Sequence, residues 1–416
     1  MGQNKYEIID ADQHILEPPH IWKEYLPKKY QKLAPKLVKD HEGGDAWDRG
    51  TGSADPIGLV STPGKRFEDF AWFGVTYDSI RPGCYEGKGR AEDLTIDGVD
   101  ASIVFPPERT IFRWLGQPDP DASLAGVDAY NSFAFDEFAA ADRKRIFPMY
   151  QIPSLGVKTA VKYVKKAAQK GARGVLLGSW PNGGEMVSEE DDAFWAACVD
   201  NGLPVHIHII LDSRENLVKQ HAVTQAVTAG LKSQAVRQRA LARLASGVFT
   251  STPPQIGQLV FNGTFDRFPE LQIVLVEVGV GWIPHFLEIM DDRYWRNRGW
   301  VGLELKELPS YYWHQNFAAT FMHDFTGVQL RHSVGVQNMM WSSDYPHHGN
   351  DWPYSRRLID DMMSGVEASE RYDIVAGNAV RIYHLAQSAA SKNGARRNGA
   401  RAATRGKSKA KAKASR

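Results

Sequence analysis

The feature that most constrains the fold is a regular alternation of short apolar runs with helical stretches. Strands buried on both faces form continuous apolar runs, and their alternation with helices indicates a parallel sheet. Glycines at Gly171 and Gly202 end two of the helical stretches, as glycine commonly does. The runs are YEIIDADQH, GVDASIVFPP, RIFPMYQIP, GARGVLLGS, GLPVHIHII, LQIVLVEVG, FAATFMH and NMMWSSDYP. Eight such units in 416 residues predict an α/β fold, a (β/α)8 barrel of the TIM type.

Two segments exceed what a minimal barrel needs. Residues from about 40 to 95 are rich in glycine, proline and aromatic residues and have no clear period. Residues from about 213 to 255 have the pattern of one or two amphipathic helices. We interpret both as insertions between strands, which in barrels often build the lid or the substrate pocket. The second is equally compatible with an oligomer interface, and a homo- or hetero-oligomer is expected.

Charge divides the chain into two parts. Residues 392–416 contain ten lysines and arginines and no acidic residue, so the formal net charge of +1 becomes −9 when they are set aside. Without large apolar residues this tail cannot form a core. We therefore predict a barrel over residues 1–390 and a basic, disordered tail over 391–416. The tail is interpreted as a solubilising appendage or as a nonspecific contact for nucleic acid or an anionic surface. The acidic remainder argues against a nucleic-acid-binding protein.

The sequence predicts neither a membrane span nor a secretory signal. No run of 18 apolar residues is present, so no transmembrane helix is expected. The segment MGQNKYEIID has no apolar signal-peptide core. Cys84 and Cys198 lack zinc-ribbon spacing and are expected to be reduced thiols. A cytoplasmic location without membrane partners is predicted.

Ionisable side chains stand near the ends of four of the predicted strands. Residues two apart on a strand face the same side, so Asp12 aligns with His14, and His206 aligns with His208. In a barrel these strand ends converge on one mouth, where imidazoles mixed with carboxylates favour Zn, Mn or Fe over Ca or Mg. The set is Asp12 and His14, His206 and His208, Glu277, and Asp344 followed by His347 and His348.

Each of these residues also has an explanation without metal. An Asp-x-His pair can be a cap, a strand histidine can be satisfied by backbone carbonyls, and Asp344 can cap a turn. Glu277 is harder to explain by packing alone, because burial of an unpaired carboxylate is costly. The coincidence of four such features on four strands favours a metal site.

Several segments together resemble one known family. DADQHILEPPHIW, LPVHIHI, FDRFPELQIVLVEVGVGWIP, MMWSSDYPHHGNDWP and GNAVRIYHL resemble the amidohydrolase-2 group of the metal-dependent amidohydrolase superfamily. This group includes aminocarboxymuconate semialdehyde decarboxylase and γ-resorcylate decarboxylase, and the resemblance spans residues 5–386 apart from the insertions. It implies that Asp12 and His14 are the metal pair of the first strand, although His-x-His or Glu-x-His is the usual form. It also makes His208 the ligand of the fifth strand, with His206 as a neighbour, and Asp344 a metal ligand or base.

Two positions depart from the decarboxylases of that group. Glu277 stands where they carry a histidine proposed to act in acid–base catalysis, and His347 stands where they tend to have an aromatic residue. Both departures weaken the transfer of decarboxylase chemistry but leave the predicted metal site intact. Glu277 also adds a candidate ligand for a second metal.

The leading hypothesis is a metal-dependent hydrolase that attacks a small carboxylated or carbonyl substrate with metal-activated water. The metal, expected to be Zn with Mn or Fe as alternatives, would be held by Asp12, His14, His208 and Asp344. Asp344 would be the general base, and Glu277 and His347 would orient substrate or shuttle a proton. The alternatives are a non-oxidative decarboxylase with the same site, an iron-dependent oxygenase on this scaffold, and a noncatalytic subunit of a hetero-oligomer.

Aromatic and basic residues near the predicted mouth indicate the kind of substrate. An aromatic or planar ligand is one explanation for the aromatic residues, and ordinary packing is an equally good one. Arg109 and Arg113 can pair with a substrate carboxylate or can be solvated on a helix. The aromatic residues are Trp72, Phe73, Phe112, Trp114 and Trp180.

Overall fold

All eight predicted strands are present in the computed structural model, which describes residues 6–50, 54–209, 211–222 and 234–385. The third predicted strand is divided at Met149 into two short pieces. Three further strands belong to the first insertion. The strands are β1 Ile9–His14, β2 Lys36–Lys39, β3 Asp45–Asp48, β4 Ala54–Pro56, β5 Ala101–Phe105, β6 Ile146–Pro148, β7 Tyr150–Gln151, β8 Val175–Leu177, β9 Val205–His208, β10 Ile273–Val276, β11 Phe317–Phe321 and β12 Met339–Trp341.

The barrel strands lie side by side in chain order and are all parallel. Strand β1 pairs with β5 and β5 with β6, while the remaining strands follow in the order β7-β8-β9-β10-β11-β12. The barrel closes between its last and first strands, where the His14 N–H donates to Tyr345 O at 2.6 Å and the Asp344 N–H donates to Asp12 O at 3.0 Å. The predicted (β/α)8 barrel is confirmed, and its seam joins the strands that carry Asp12, His14 and Asp344.

Helices cover the outside of the barrel between successive strands. Gly171 caps α5 in the left-handed conformation (φ 78°), which confirms its predicted role as a helix stop. The helices are α1 Ile21–Tyr25, α2 Gly87–Asp97, α3 Glu108–Leu115, α4 Pro120–Phe133, α5 Val157–Lys170, α6 Asp192–Asp200, α7 Arg214–Ala222, α8 Gln234–Phe261, α9 Thr264–Arg267, α10 Ile283–Val301, α11 Pro309–Asn316, α12 Phe325–Gln329, α13 Arg331–Val334, α14 Ser355–Met362, α15 Ala368–Tyr372 and α16 Asn378–Ile382.

Side-chain alternation divides the core into two layers. On β10, Ile273 and Leu275 face outward and join the large apolar layer that packs against the helices. Val274 and Val276 face inward, where they contribute to a smaller cluster inside the barrel. Tyr383, which follows α16, is fully buried in that inner cluster. The barrel interior is therefore a packed core, and the cluster of ionisable side chains lies above it at the strand ends.

The two insertions differ in how well their structure was predicted. The first contains a small antiparallel sheet, β2-β3-β4, that the sequence did not reveal, because strands of at most four residues carry too little period. The second contains the predicted helices, α7 and α8, although α8 continues to Phe261 through Pro253 and Pro254. Residues 223–233 and the predicted basic tail 391–416 lie outside the described residues. The domain division and the oligomeric state stay predictions.

Among the described residues, no helix combines the length and the apolar character that crossing a bilayer requires. Cys84 and Cys198 are both buried and are not joined in a disulfide.

Candidate metal centre

Asp12, His14 and His208 converge at the carboxyl-terminal mouth of the barrel. Asp12 and His14 end β1, and His208 ends β9. The Nε2 atoms of the two histidines lie 3.0 Å apart. Asp12 Oδ1 lies 3.5 Å from each of these nitrogens. Three donor atoms from two distant strands thus point at one small volume, as the sequence predicts.

The last strand brings Asp344 and His347 to the same place. Asp344 is buried, and its Oδ1 lies 3.5 Å from His14 Nε2. The His347 ring packs edge-on against the ring of His14, with 4.6 Å between their centroids. Ligand atoms from His14, Asp344 and His347 all lie within 4.8 Å of one another.

Glu277 completes the rim of the cluster. It follows β10, and with a side chain that is 27% exposed it is the most accessible of the acidic members. Its Oε2 lies 3.9 Å from His208 Nδ1, and one of its oxygens falls within 4.8 Å of oxygens from Asp12 and Asp344. The structure therefore brings together every residue for which the sequence predicts a metal-binding or catalytic role.

The backbone at the mouth is strained where these side chains are presented. Ile209, Glu277 and Asp344 follow β9, β10 and β12 with positive φ angles of 49°, 61° and 60°. For a residue other than glycine, a positive φ costs about 1–3 kcal/mol, and it persists only where neighbouring contacts hold the backbone in place. The Glu277 N–H donates to Thr320 Oγ1 at 2.7 Å, and the Asp344 N–H is held by Asp12 O. Strain at three strand ends of the same barrel mouth indicates a functional site.

Asp12 provides the test of whether the cluster suits a metal ion. Both of its carboxylate oxygens are buried, and neither accepts a hydrogen bond from the described residues. A buried carboxylate needs a cation or a full set of donors to offset its lost hydration. His14 Nδ1 lies 3.1 Å from Pro106 O, which favours the tautomer that protonates Nδ1 and leaves the Nε2 lone pair facing Asp12. Two imidazoles and two carboxylates are a donor set that fits a divalent transition metal.

A buried hydrogen-bond network beneath the cluster fixes the first and last strands together. Asp10 accepts hydrogen bonds from the Ser343 N–H at 2.9 Å, from the Ser343 hydroxyl and from Gln13 Nε2 at 2.7 Å. Burial raises the pKa of Asp10 to about 7, although these hydrogen bonds act in the opposite direction. Arg90, also fully buried, donates to His14 O at 2.6 Å and to Gln13 Oε1 at 3.0 Å. This network positions the backbone that carries Asp12 and His14.

The sequence reasoning missed Asp10, Ser343 and Arg90. A signal existed for Asp10, because it is a second carboxylate inside an apolar strand, two residues before Asp12. No comparable signal marks Arg90, which reaches the seam from helix α2.

His206 lies one layer below His208 and is satisfied within the protein. Its Nδ1 lies 3.0 Å from Val175 O and its Nε2 lies 3.0 Å from the Tyr383 hydroxyl. Burial lowers the pKa of His206 to about 4, which keeps the ring neutral. Its partners are those of a core histidine.

Glu17 belongs to a different buried cluster. Its carboxyl accepts a hydrogen bond from the Thr110 hydroxyl, and burial raises its pKa while the charge of Arg49 opposes the shift. Arg49 in turn pairs with Asp55 from β4. Arg109 also pairs with Asp55, at 2.9 Å. Glu17 and Arg109 therefore help to anchor the first insertion.

An apolar crevice opens beside His14 and His208. Among the residues near the predicted mouth, Phe112 lines this crevice, whereas Trp114 and Trp180 are buried in the outer core. Trp72, Phe73 and Arg113 are half-buried. Besides His14 and His208, Gln151 is the one polar side chain among the described residues that line the crevice. The walls are Phe105, Ile111, Phe112, Leu176, Leu177 and Gln151.

Fold and site together define a (β/α)8 barrel with a centre of histidines and carboxylates at its mouth. The model of the Amidohydrolase family (Amidohydro_2) matches residues 115–385, and the chain belongs to this family. It is therefore an enzyme, and its donor set supports a divalent metal.

One curated relative is the decarboxylase orsB of Emericella nidulans. It is 24% identical over 279 residues, which are 64% of this chain and 75% of the relative.

Solved structures share the fold at low identity. An amidohydrolase from Mycobacterium avium subsp. paratuberculosis superposes with a TM-score of 0.67 at 17% identity, over 91% of this chain and 99% of the other. The 5-carboxyvanillate decarboxylase of Novosphingobium aromaticivorans, complexed with manganese and 4-hydroxy-3-methoxy-5-nitrobenzoic acid, gives 0.60 at 15% identity, over 91% and 96%. At these identities the likeness establishes the barrel fold alone.

Proposed function

We propose that this chain is a metal-dependent, non-oxidative decarboxylase of a small aromatic acid. The observation that carries the proposal is the position of the histidine–carboxylate centre directly beside an apolar, aromatic-walled crevice. Such a site suits a ligand that places an anionic group at the centre and directs a small part of an apolar body into the crevice. The fungal relative and the manganese-bound neighbour are both decarboxylases by name, which supports the same function. This reverses the order of the two leading hypotheses drawn from the sequence.

Four residues would hold the metal. Asp12, His14, His208 and Asp344 supply two imidazole nitrogens and two carboxylates from three strand ends. A bound divalent cation would supply Lewis-acid attraction for a substrate carboxylate and a neighbouring oxygen. We propose Mn²⁺, because a neighbour of the same fold was solved with it; the donor set would also accept Zn²⁺.

Side chains of the protein would then supply the one proton that the reaction consumes. In decarboxylation the ring carbon that loses carbon dioxide keeps the bonding electron pair and takes up a proton. Asp344, buried at the centre of the cluster, would deliver that proton to the ring carbon. Glu277 is the most exposed acidic member, so it would exchange protons with solvent and restore Asp344. His347, packed edge-on against His14, would orient the substrate.

One observation favours hydrolysis as the second candidate. Glu277 is a partly exposed carboxylate at the rim, 3.9 Å from His208 Nδ1, where it could take a proton from an attacking water.

Isotope incorporation separates these chemistries in one experiment. The Mn²⁺-loaded protein is incubated with a panel of hydroxybenzoates in D₂O, and products are followed by NMR with trapping of carbon dioxide. Decarboxylation places one deuterium on the carbon that carried the carboxylate. Incorporation of ¹⁸O from labelled water into the product of an ester or amide panel would instead support the hydrolase. Consumption of O₂ by iron-loaded protein would support the oxygenase, and an absence of turnover with all metals would support a noncatalytic subunit.

A further inference from the structure

Gln151 ends the third barrel strand and lines the crevice beside His14 and His208. Its side chain is buried, with 1% of the residue exposed. The amide nitrogen Nε2 donates to Ile152 O at 2.9 Å and to Leu176 O at 3.2 Å. Because only the NH₂ group can face two carbonyl oxygens, the orientation of the amide is fixed.

The backbone of Gln151 is held just as firmly. Its N–H donates to Asn131 Oδ1 at 3.0 Å, and its carbonyl accepts from Asn131 Nδ2 at 3.1 Å. Asn131 lies on α4 and is itself buried. Three of the four polar groups of Gln151 are therefore satisfied within the protein, and the residue has little freedom to turn.

The fourth polar group is the amide oxygen. Gln151 Oε1 is buried and accepts no hydrogen bond from the described residues. An unmet buried acceptor costs about 1–3 kcal/mol, so a ligand group that donates a hydrogen bond to it would recover that free energy. The crevice that Gln151 lines has room for one group of about the size of a water molecule. Its other walls include Phe105, Ile111 and Leu177, which offer no hydrogen bond.

We infer that Gln151 is a specificity-determining residue, whose Oε1 accepts a hydrogen bond from a hydroxyl or amino group on the substrate. A hydrogen-bond acceptor in an apolar wall strengthens the binding of a ligand that has an O–H or N–H group there. It weakens the binding of a ligand that has a methoxy, methyl, nitro or carboxylate group at the same place. This inference rests on the proposed function, because it assigns an aromatic acid to the site. It adds that the acid carries a small donor substituent, directed into the crevice.

Matched ligand pairs test the inference. Binding of 2-, 3- and 4-hydroxybenzoate to the Mn²⁺-loaded, full-length protein is compared with binding of the corresponding methoxy- and methylbenzoates by calorimetry. At one ring position the hydroxyl compound should bind about tenfold more tightly than its methoxy partner. In Gln151→Met, which keeps the side-chain length but removes the acceptor, that preference should fall to about twofold or less.

Asn131→Ala is the matched control. It loosens the same strand end but leaves the Gln151 amide oxygen in place, so the hydroxyl preference should persist. This control also separates Gln151 from the metal, since chelation of a 2-hydroxyl group would produce a preference that neither substitution removes. If Gln151→Met does not fold, Gln151→Asn withdraws the oxygen from the crevice and serves instead.

The inference is overturned if hydroxyl and methoxy compounds bind equally at every position, as they would if an ordered water permanently satisfied Oε1. It is equally overturned if the preference survives in the Gln151 variant, or if no hydroxylated compound binds. Carbon dioxide release is measured separately on the same panel. Equal binding with intact release refutes only the role of Gln151, whereas a Gln151-dependent preference without release refutes the decarboxylase.

Discussion

His206 and His208 lie two residues apart on one strand, face the same side and are both buried, yet their surroundings differ. His206 has a protein partner 3.0 Å from each ring nitrogen, the carbonyl of Val175 and the hydroxyl of Tyr383. His208 turns its Nε2 to another imidazole nitrogen and a carboxylate. Burial alone therefore does not distinguish a structural histidine from a candidate ligand. The identity of the groups around it does.

The same contrast extends to the layers that these histidines occupy. The lower layer is mostly apolar and is closed by Tyr383, and the ring nitrogens of His206 find their partners within the protein. The mouth gathers carboxylates and imidazoles on a backbone that is strained at Glu277 and Asp344. A protein tolerates such an arrangement where a ligand completes it. Substitutions in the lower layer should therefore reduce stability, whereas substitutions at the mouth should reduce metal binding or turnover.

The largest effect is expected from Asp344→Asn. This change keeps the shape of the side chain but removes the acid that we assign to proton delivery, so turnover should fall by about 10²- to 10⁴-fold. Steady-state rates of carbon dioxide release measure it, with the unfolding transition as the control for an intact fold. Wild-type activity in this variant would contradict the assignment.

The two strand histidines give the direct contrast. His206→Ala should lower the free energy of unfolding by about 2–4 kcal/mol, because it leaves a cavity and two unsatisfied polar partners. It should bind one metal as before. His208→Ala should instead lose metal with a smaller change in stability. Denaturant unfolding and metal analysis by mass spectrometry on both variants measure the difference, and a reversed pattern would mean that the layers have been assigned wrongly.

A smaller effect is expected at the seam below the cluster. Ser343→Ala removes the hydroxyl that donates to Asp10. Groups that position metal ligands typically contribute about 10- to 100-fold to metal affinity, and we expect a loss in that range. Competition with a chelator of known affinity measures it. Thr95→Ala, on the outer face of α2, is the matched control, because among the described residues the Thr95 hydroxyl bonds the Ala91 carbonyl of its own helix and the Arg145 side chain, away from the cluster.

The smallest effect is expected at the rim. Glu277→Gln removes a group that we assign to proton exchange with solvent, and water can replace it in part. The rate should fall about tenfold or less, with metal content unchanged. A solvent deuterium isotope effect on kcat that increases in this variant would support the relay. Loss of metal from Glu277→Gln would show that Glu277 is a ligand instead.

The repeating strand–helix units of the barrel were predictable from the sequence. Apolar runs such as LQIVLVEVG identify strands because parallel barrel strands are buried on both faces, and barrel topology then brings their ends together. Asp12, His14, His208 and Asp344 were found in that way, with the family resemblance separating His208 from His206. The same logic failed for β2, β3 and β4, whose few residues carry no period.

The residues that hold the site in place could not be predicted from the sequence. Arg90 reaches the first strand from α2, and the amide of Gln151 is held by the carbonyl of Ile152 and by that of Leu176 on the neighbouring strand β8. The bonds to His14 and to Leu176 join residues that are well separated in the chain, so they leave no local pattern. The amide oxygen of Gln151 is recognisable as an unmet acceptor only when the hydrogen bonds of the residue's other three polar groups are known.

Removal and return of metal tests the central claim most directly. The protein is stripped with a chelator, reconstituted with Mn²⁺ or Zn²⁺, and assayed for carbon dioxide release from hydroxybenzoates in D₂O. We predict that activity disappears with the metal and returns with one equivalent of it, and that the product carries one deuterium at the former carboxyl carbon. Release of carbon dioxide by the metal-free protein, or a reconstituted protein that hydrolyses esters or amides but releases none, would contradict the account.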